Sequence, residues 1–307
     1  MTILYTLVPL IVALLLGFYW DLKLLTPRII DSCLKWLTYI MLGLIGYGIG
    51  ALEQLADKLY TSGVMAIVLF SLIMLANIGA LTLSSRYLGL SEKKQQVAVG
   101  KAKLPMSWSV FSDSILTVVW VVGGGLAGYF SEGYFSAAEE SVAWLLYLLL
   151  FMIGRQLHQA NYRLRSLFLN TQGLIISAVV LVSTLAAAAF AGWLLNMPIF
   201  SALAVASGFG WYSLSGILIT DLGSPVLGTT AFLLDIAREV VALMMIPLLS
   251  RLGSHCTVGV SGATAMDFTL PMLGKFHGAG IIPTAIASGF VLSLLVPVLI
   301  PLFLSFS

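Results

Sequence analysis

Apolar runs about as long as a bilayer-spanning helix recur from one end of the chain to the other, and no other feature of the sequence restricts its fold so tightly. A hydrocarbon core of about 30 Å needs about 20 helical residues. On that ruler hydrophobic segments fall at 2–20, 36–55, 64–85, 111–130, 141–157, 171–195, 200–219, 230–250, 256–275 and 280–305. In lipid a backbone polar group has no water to bond, so each run is predicted to close its hydrogen bonds as a helix. Composition agrees: 60% of the 307 residues are hydrophobic and 9% are charged, against about 25% charged in soluble domains, and the mean hydropathy is +1.04. The expected fold class is an all-α integral membrane protein with 8 to 10 transmembrane segments in one domain spanning 1–307, with no separate soluble domain.

The uncertainty in the count lies in two runs. Segments 200–219 and 256–275 are rich in Gly and in Ser or Thr, and 256–275 also holds Asp267 and Pro271, so they read as broken or re-entrant helices. The first run, "TILYTLVPLIVALLLGFYW", lacks a preceding basic residue and a following small-residue cleavage site, so it reads as a span and not as a removable signal peptide. Basic residues fix the expected orientation. With the N-terminus outside, the cytoplasmic loops receive Lys23, Arg28 and Lys35, then Arg86, Lys93, Lys94, Lys101 and Lys103, then Arg155, Arg163 and Arg165. The acidic loop 131–140, with Glu132, Glu139 and Glu140, falls outside. The bias favours N-out, and an even number of crossings puts the C-terminus outside too. Five segments per half make candidate inverted repeats of 1–157 and 171–307, with a cytoplasmic loop at 86–110.

Several function classes drop out. Cys33 and Cys256 lack CxxC spacing and the three histidines are scattered, so neither a disulfide framework nor a metal site is indicated. No Ser/His/Asp set, HExxH or P-loop is present, which disfavours an enzyme, and no cofactor is implied. A net charge of +2 gives no reason to expect a nucleic-acid partner; membrane lipid is the expected surroundings, and a homodimer is left open.

The chemistry is expected where charges enter the apolar runs. In "FLLDIAREVVALMM", residues 232–245, Asp235 is i−3 to Arg238 and i−4 to Glu239, so one helical face carries an Asp–Arg pair beside a second carboxylate. Glu239 lies about ten residues into its run, near mid-depth at about 1.5 Å per residue. An isolated charge there costs at least about 2.5–3.5 kcal/mol, so Glu239 is expected to face a cavity, a cation or a proton path. A buried network that pins helices is the alternative for all three. Glu53 ends the Gly-rich "GLIGYGIGALEQL" and reads either as a second site acid or as an acid in the headgroup region. "SGFGWYSLSG", 207–216, offers exposed backbone and aromatic faces at Ser207, Gly208, Gly210, Trp211, Tyr212, Ser213 and Ser215. Such a turn can hold a carboxylate and flank a cation, although a small-residue packing seam fits too. In "GVSGATAMDFTLPML", Asp267 stands four residues before Pro271, the profile of an acid near a helix break; a capping role is the alternative.

The stretches "ASGFGWYSLSGILITDLGSPVLG", "DIAREVVALMMIPLL" and "GATAMDFTLP", in this order and spacing, resemble the bacterial lysine exporter family LysO, and the likeness covers nearly the whole chain. The resemblance implies a multi-pass transporter of the bacterial inner membrane that exports L-lysine and the toxic analogue thialysine, with essential intramembrane acids matching Glu53 and Glu239. The family carries Asp more often at the position of Glu53, a conservative departure that adds one methylene. The family's eight spans with both termini outside fit two re-entrant segments. A more distant likeness to the cation/proton antiporter and bile-acid transporter folds, with inverted five-helix repeats and crossed broken helices, favours ten.

Without a nucleotide-binding motif the expected drive is an ion gradient, and proton exchange is simplest because a buried carboxylate can bind either a proton or an ammonium. Glu239 and Glu53 are then expected to alternate between protons and lysine, with Ser207 to Ser215 holding the α-carboxylate, Trp211 or Tyr212 flanking the stem, and Asp235 with Arg238 fixing the helix. A small-cation/proton antiporter, an exporter of another cationic amino acid, and a receptor or assembly subunit that uses its acids as helix glue are the rival expectations.

Overall fold

The computed structural model describes residues 26–51, 55–87, 108–131, 137–159 and 170–307, together with most of 12–20. Among them every regular element is a helix: α1 (Pro27–Gly50), α2 (Leu55–Tyr87), α3 (Trp108–Phe130), α4 (Ala137–Gln159), α5 (Thr171–Leu194), α6 (Ile199–Ala206), α7 (Tyr212–Leu222), α8 (Pro225–Leu249), α9 (Ser254–Ser261), α10 (Leu270–His277) and α11 (Ile282–Leu304). Three are long and apolar enough to cross a membrane by length and composition, at Ala56–Tyr87, Thr171–Leu194 and Ile282–Leu304. The chain is a multi-pass helical membrane protein.

Local sequence sets the helix starts. Asn170 caps α5, its side-chain oxygen accepting from the Gly173 N–H at 2.8 Å. Ser224 caps α8 by accepting from the Leu227 N–H at 3.2 Å, and Pro225 follows at the first helical position, where its missing N–H costs nothing. Hydroxyls inside the apolar helices bond back one turn, as Ser177 does to the Gly173 carbonyl and Thr230 to the Val226 carbonyl, which satisfies their donors within the helix.

Charged residues shift the boundaries expected from hydropathy. Lys35 and Arg86, assigned above to cytoplasmic loops, lie within α1 and in the last turn of α2, and Arg155 is buried in α4. An apolar run ends at a charge, but a helical backbone continues through it, and long basic side chains bury their stems along apolar surface. Likewise 137–140 opens α4 and is not loop, and the described ends of α2 and α3 leave 88–107 between them.

Two packing units frame the interior. α2, α5 and α8 pack with α9, while α11 lies against α5, α6 and the 3-10 segment Gly262–Met266. Polar bonds cross these contacts: Ser183 donates to the Asn77 carboxamide oxygen at 2.6 Å, joining α5 to α2, and Ser62 donates to the Val226 carbonyl at 3.2 Å, joining α2 to α8. α1 and α3 pack backbone to backbone along a glycine seam. A methyl at Gly46 would run into the Val121 carbonyl, one at Gly50 into Gly125, and one at Gly128 into Tyr47. Gly46→Leu is therefore expected to destabilise the protein by at least about 1–3 kcal/mol through overpacking, read as a lower melting temperature in detergent; unchanged melting would show that the seam yields.

Candidate functional site

The two Gly-, Ser- and Thr-rich runs form interrupted helices that meet. α6 stops at Ala206 and α7 begins at Tyr212; between them Phe209 and Gly210 take positive φ of 51° and 94°. α9 stops at Ser261, Gly262 takes φ 62°, and a 3-10 turn leads through Asp267 towards α10. The Phe209 carbonyl accepts the Ala263 N–H at 3.0 Å, so the two breaks are fastened backbone to backbone. A side chain at Gly262 would strike the Phe209 carbonyl, and its left-handed φ disfavours any other residue. Three helix ends thus meet at the crossing, the positive end of α7 and the negative ends of α6 and α9, and α10 begins beyond Asp267.

α8 brings its charges to this crossing. The Asp235 carboxylate accepts the Gly210 N–H at 2.8 Å on one oxygen and the Ser215 hydroxyl at 2.5 Å on the other. A methyl at Gly208 would overlap that carboxylate, so glycine there is a matter of close approach. The Arg238 guanidinium stands 3.9 Å from Asp235, beyond hydrogen-bond reach. The i, i+3 spacing predicted an Asp–Arg ion pair on this helix, and the two charges do stand together; the hydrogen bonds that Asp235 accepts come from the break. None of the three Arg238 nitrogens has a hydrogen-bond partner among the described residues, although the side chain is 1% exposed. Glu239 is buried next to it and has an interaction of its own.

Beside the crossing lies a cavity of about 300 Å³, the lower end of the usual size for a small-molecule site. Trp211, Tyr212, Ser213 and Asp267 line it, so the structure brings these four sequence candidates together. Asp267 opens into it and accepts the Phe268 N–H at 2.5 Å. Ser207, Gly208, Gly210 and Ser215 do not line it. Ser207 bonds back to the Leu203 carbonyl at 2.7 Å, and the other three surround Asp235. Glu53 lies outside the described residues.

The opposite wall was not anticipated from sequence. Lys35 and Tyr39 of α1 line the cavity with Ser293 of α11. The Lys35 ammonium stands 5.7 Å from the Tyr39 ring centroid, and Tyr39 stacks on Trp120 at 6.0 Å and 6°. The available signal was Pro27, a favoured first helical residue that would have extended the helix back past Lys35.

The family described as lysine exporter LysO matches residues 118–304. The "Lysine exporter LysO" of Escherichia coli (strain K12) is 40% identical over 301 residues, 98% of this chain and 98% of that protein. The chain belongs to the LysO family. A Haemophilus influenzae protein whose name marks it as a candidate lysine exporter is 37% identical over 186 residues, 61% of this chain and 95% of its own length. No solved structure matches. The span matched to the LysO family holds the whole crossing, both breaks and α8. The α1 wall with Lys35 lies outside it but within the length shared with the Escherichia coli protein.

Proposed function

We propose that this protein exports L-lysine, and with it thialysine, from the cytoplasm across the bacterial inner membrane in exchange for protons. The observation that carries the reading is the cavity beside the crossing, in a chain of the LysO family: it combines aromatic faces, the open carboxylate of Asp267 and hydroxyls at the interrupted helices. Trp211 and Tyr212 offer aromatic faces to a cationic stem, and Asp267 offers a counter-charge. Glu239 of α8 and Glu53 serve as the acids that exchange a proton for the substrate's ammonium. The N-out, C-out arrangement with eight to ten crossings rests on the basic residues between the apolar runs, eight if the two interrupted helices turn back and ten if they cross. The inverted repeats 1–157 and 171–307 are supported by a parallel in packing: the second and fourth of the five apolar runs meet in each half, 36–55 with 111–130 along glycines, and 200–219 with 256–275 through the bond between the two breaks.

Lysine carries one positive charge, so outward movement opposes an inside-negative potential by about 2.3 kcal/mol per 100 mV. One-for-one exchange with a proton cancels that term and leaves the pH gradient as the drive. One pH unit is worth about 1.4 kcal/mol, which sustains a roughly tenfold lysine gradient. Vesicles containing the purified protein and labelled lysine are therefore expected to lose label rapidly when the outside is made one pH unit more acidic than the lumen. Efflux indifferent to the sign of the pH gradient would refute proton exchange, and absence of lysine movement would refute export.

A further inference from the structure

We propose that Arg238 is the receptor for the carboxylate of the transported amino acid, an inference that rests on the export reading above. Arg238 is among the largest fully buried side chains of the protein. Its side chain leaves α8 against one break and reaches the other: a methyl on Gly210 would stand 4.0 Å from its Cβ, and one on Gly262 would stand 3.6 Å from Nη2. The guanidinium therefore lies across the junction of the two interrupted helices. Trp211, the residue after Gly210, already lines the cavity.

A guanidinium presents five N–H donors in a planar fork suited to a carboxylate. In a membrane interior an unbonded donor is costly, and a buried charge is retained where something compensates it. Asp235 supplies charge but at 3.9 Å no hydrogen bond; the bonds its oxygens accept come from the Gly210 N–H and the Ser215 hydroxyl. An arginine that serves only to hold helices together is normally bonded by carbonyls or carboxylates of the elements it joins. Among the described residues no nitrogen of Arg238 does so. The fork is charge-balanced but unbonded, which is the state of a binding group awaiting an anion. An amino acid brings one with it, and its carboxylate needs a neutralising partner as much as its ammonium does. The two ends are then held by opposite charges: the carboxylate by Arg238 at the junction, the side-chain ammonium by acids on the cavity side. Reaching Arg238 requires the 209–211 turn to move aside, and Gly210 provides the backbone freedom at that turn.

The test is competition for labelled lysine bound to the purified full-length protein in detergent, where no membrane potential enters. Lysinamide keeps both amino groups and lacks the carboxylate. It is expected to compete at least tenfold less well than lysine with the wild-type protein, and Arg238→Gln is expected to bring the ratio close to one while weakening lysine itself. Arg238→Lys keeps the charge but not the fork and is expected to fall between. Equal competition in the wild type, or a ratio that survives in Arg238→Gln, overturns the proposal. If both variants fail to fold, the wild-type ratio decides alone: tenfold or more supports the receptor, near one overturns it. A wild type that neither binds nor moves lysine overturns the export reading and this inference together, whereas lysine export with an indifferent ratio overturns only the inference.

Discussion

Glu239→Gln is expected to fold normally and to lose gradient-driven lysine efflux by roughly ten- to hundredfold. Glutamine has almost the same shape, so the packing of α8, where Glu239 is 5% exposed, is retained. What disappears is a group that can carry either a proton or an ammonium. A hydrogen bond to a charged group is worth about 1.5–3 kcal/mol, which sets the range of the loss when converted to affinity. A second signature separates coupling from simple weakening: the remaining efflux should no longer respond to a pH gradient, because the amide does not titrate. The measurement is label release from proteoliposomes at matched protein content, with melting temperature as the folding control. Wild-type efflux from Glu239→Gln, with its pH response intact, would remove Glu239 from the mechanism.

The part of the structure that local composition alone determines was legible in the sequence. Lipid forces backbone bonds to close within a segment, so apolar runs of the right length fall on helices. The runs rich in Gly, Ser and Thr fall on interruptions, at 207–211 and from Gly262 to Asp267, because glycine admits the positive φ that a break requires. Trp211, Tyr212, Ser213 and Asp267 could be singled out for the same reason: each lies within a few residues of a break. Tertiary pairing was not legible in this way. The i, i+3 rule placed Asp235 beside Arg238, where the structure has the ion pair at 3.9 Å, but it could not show that Gly210 and Ser215, 25 and 20 residues away in sequence, donate the bonds its oxygens accept. Lys35 was hidden for a different reason. Hydropathy registers a charge as the end of a run, whereas α1 continues through it and turns the ammonium towards Tyr39.

Asp235→Ala is expected to be the most damaging single change to stability, and the expected result of a second substitution shows why. Alanine leaves the Gly210 N–H without its acceptor, the Ser215 hydroxyl without its partner, and Arg238 without the carboxylate that balances it. Breaking a buried pair by removing one member costs about 3–5 kcal/mol, mostly because the remaining charge is uncompensated, whereas replacing both members by apolar groups of similar volume is often neutral or better. The double variant Asp235→Ala with Arg238→Met should therefore melt at a higher temperature than Asp235→Ala alone. If Arg238 served only to hold helices together, restored stability would bring restored lysine transport. With Arg238 as the carboxylate receptor, the double variant is stable and inactive. Melting in detergent and efflux from vesicles, measured on the same preparations, separate the two outcomes. A double variant no more stable than Asp235→Ala would mean that the lost bonds to Gly210 and Ser215, and not the stranded charge, dominate the damage. The crossing would then be held chiefly by the hydrogen bonds of one carboxylate to the broken helix.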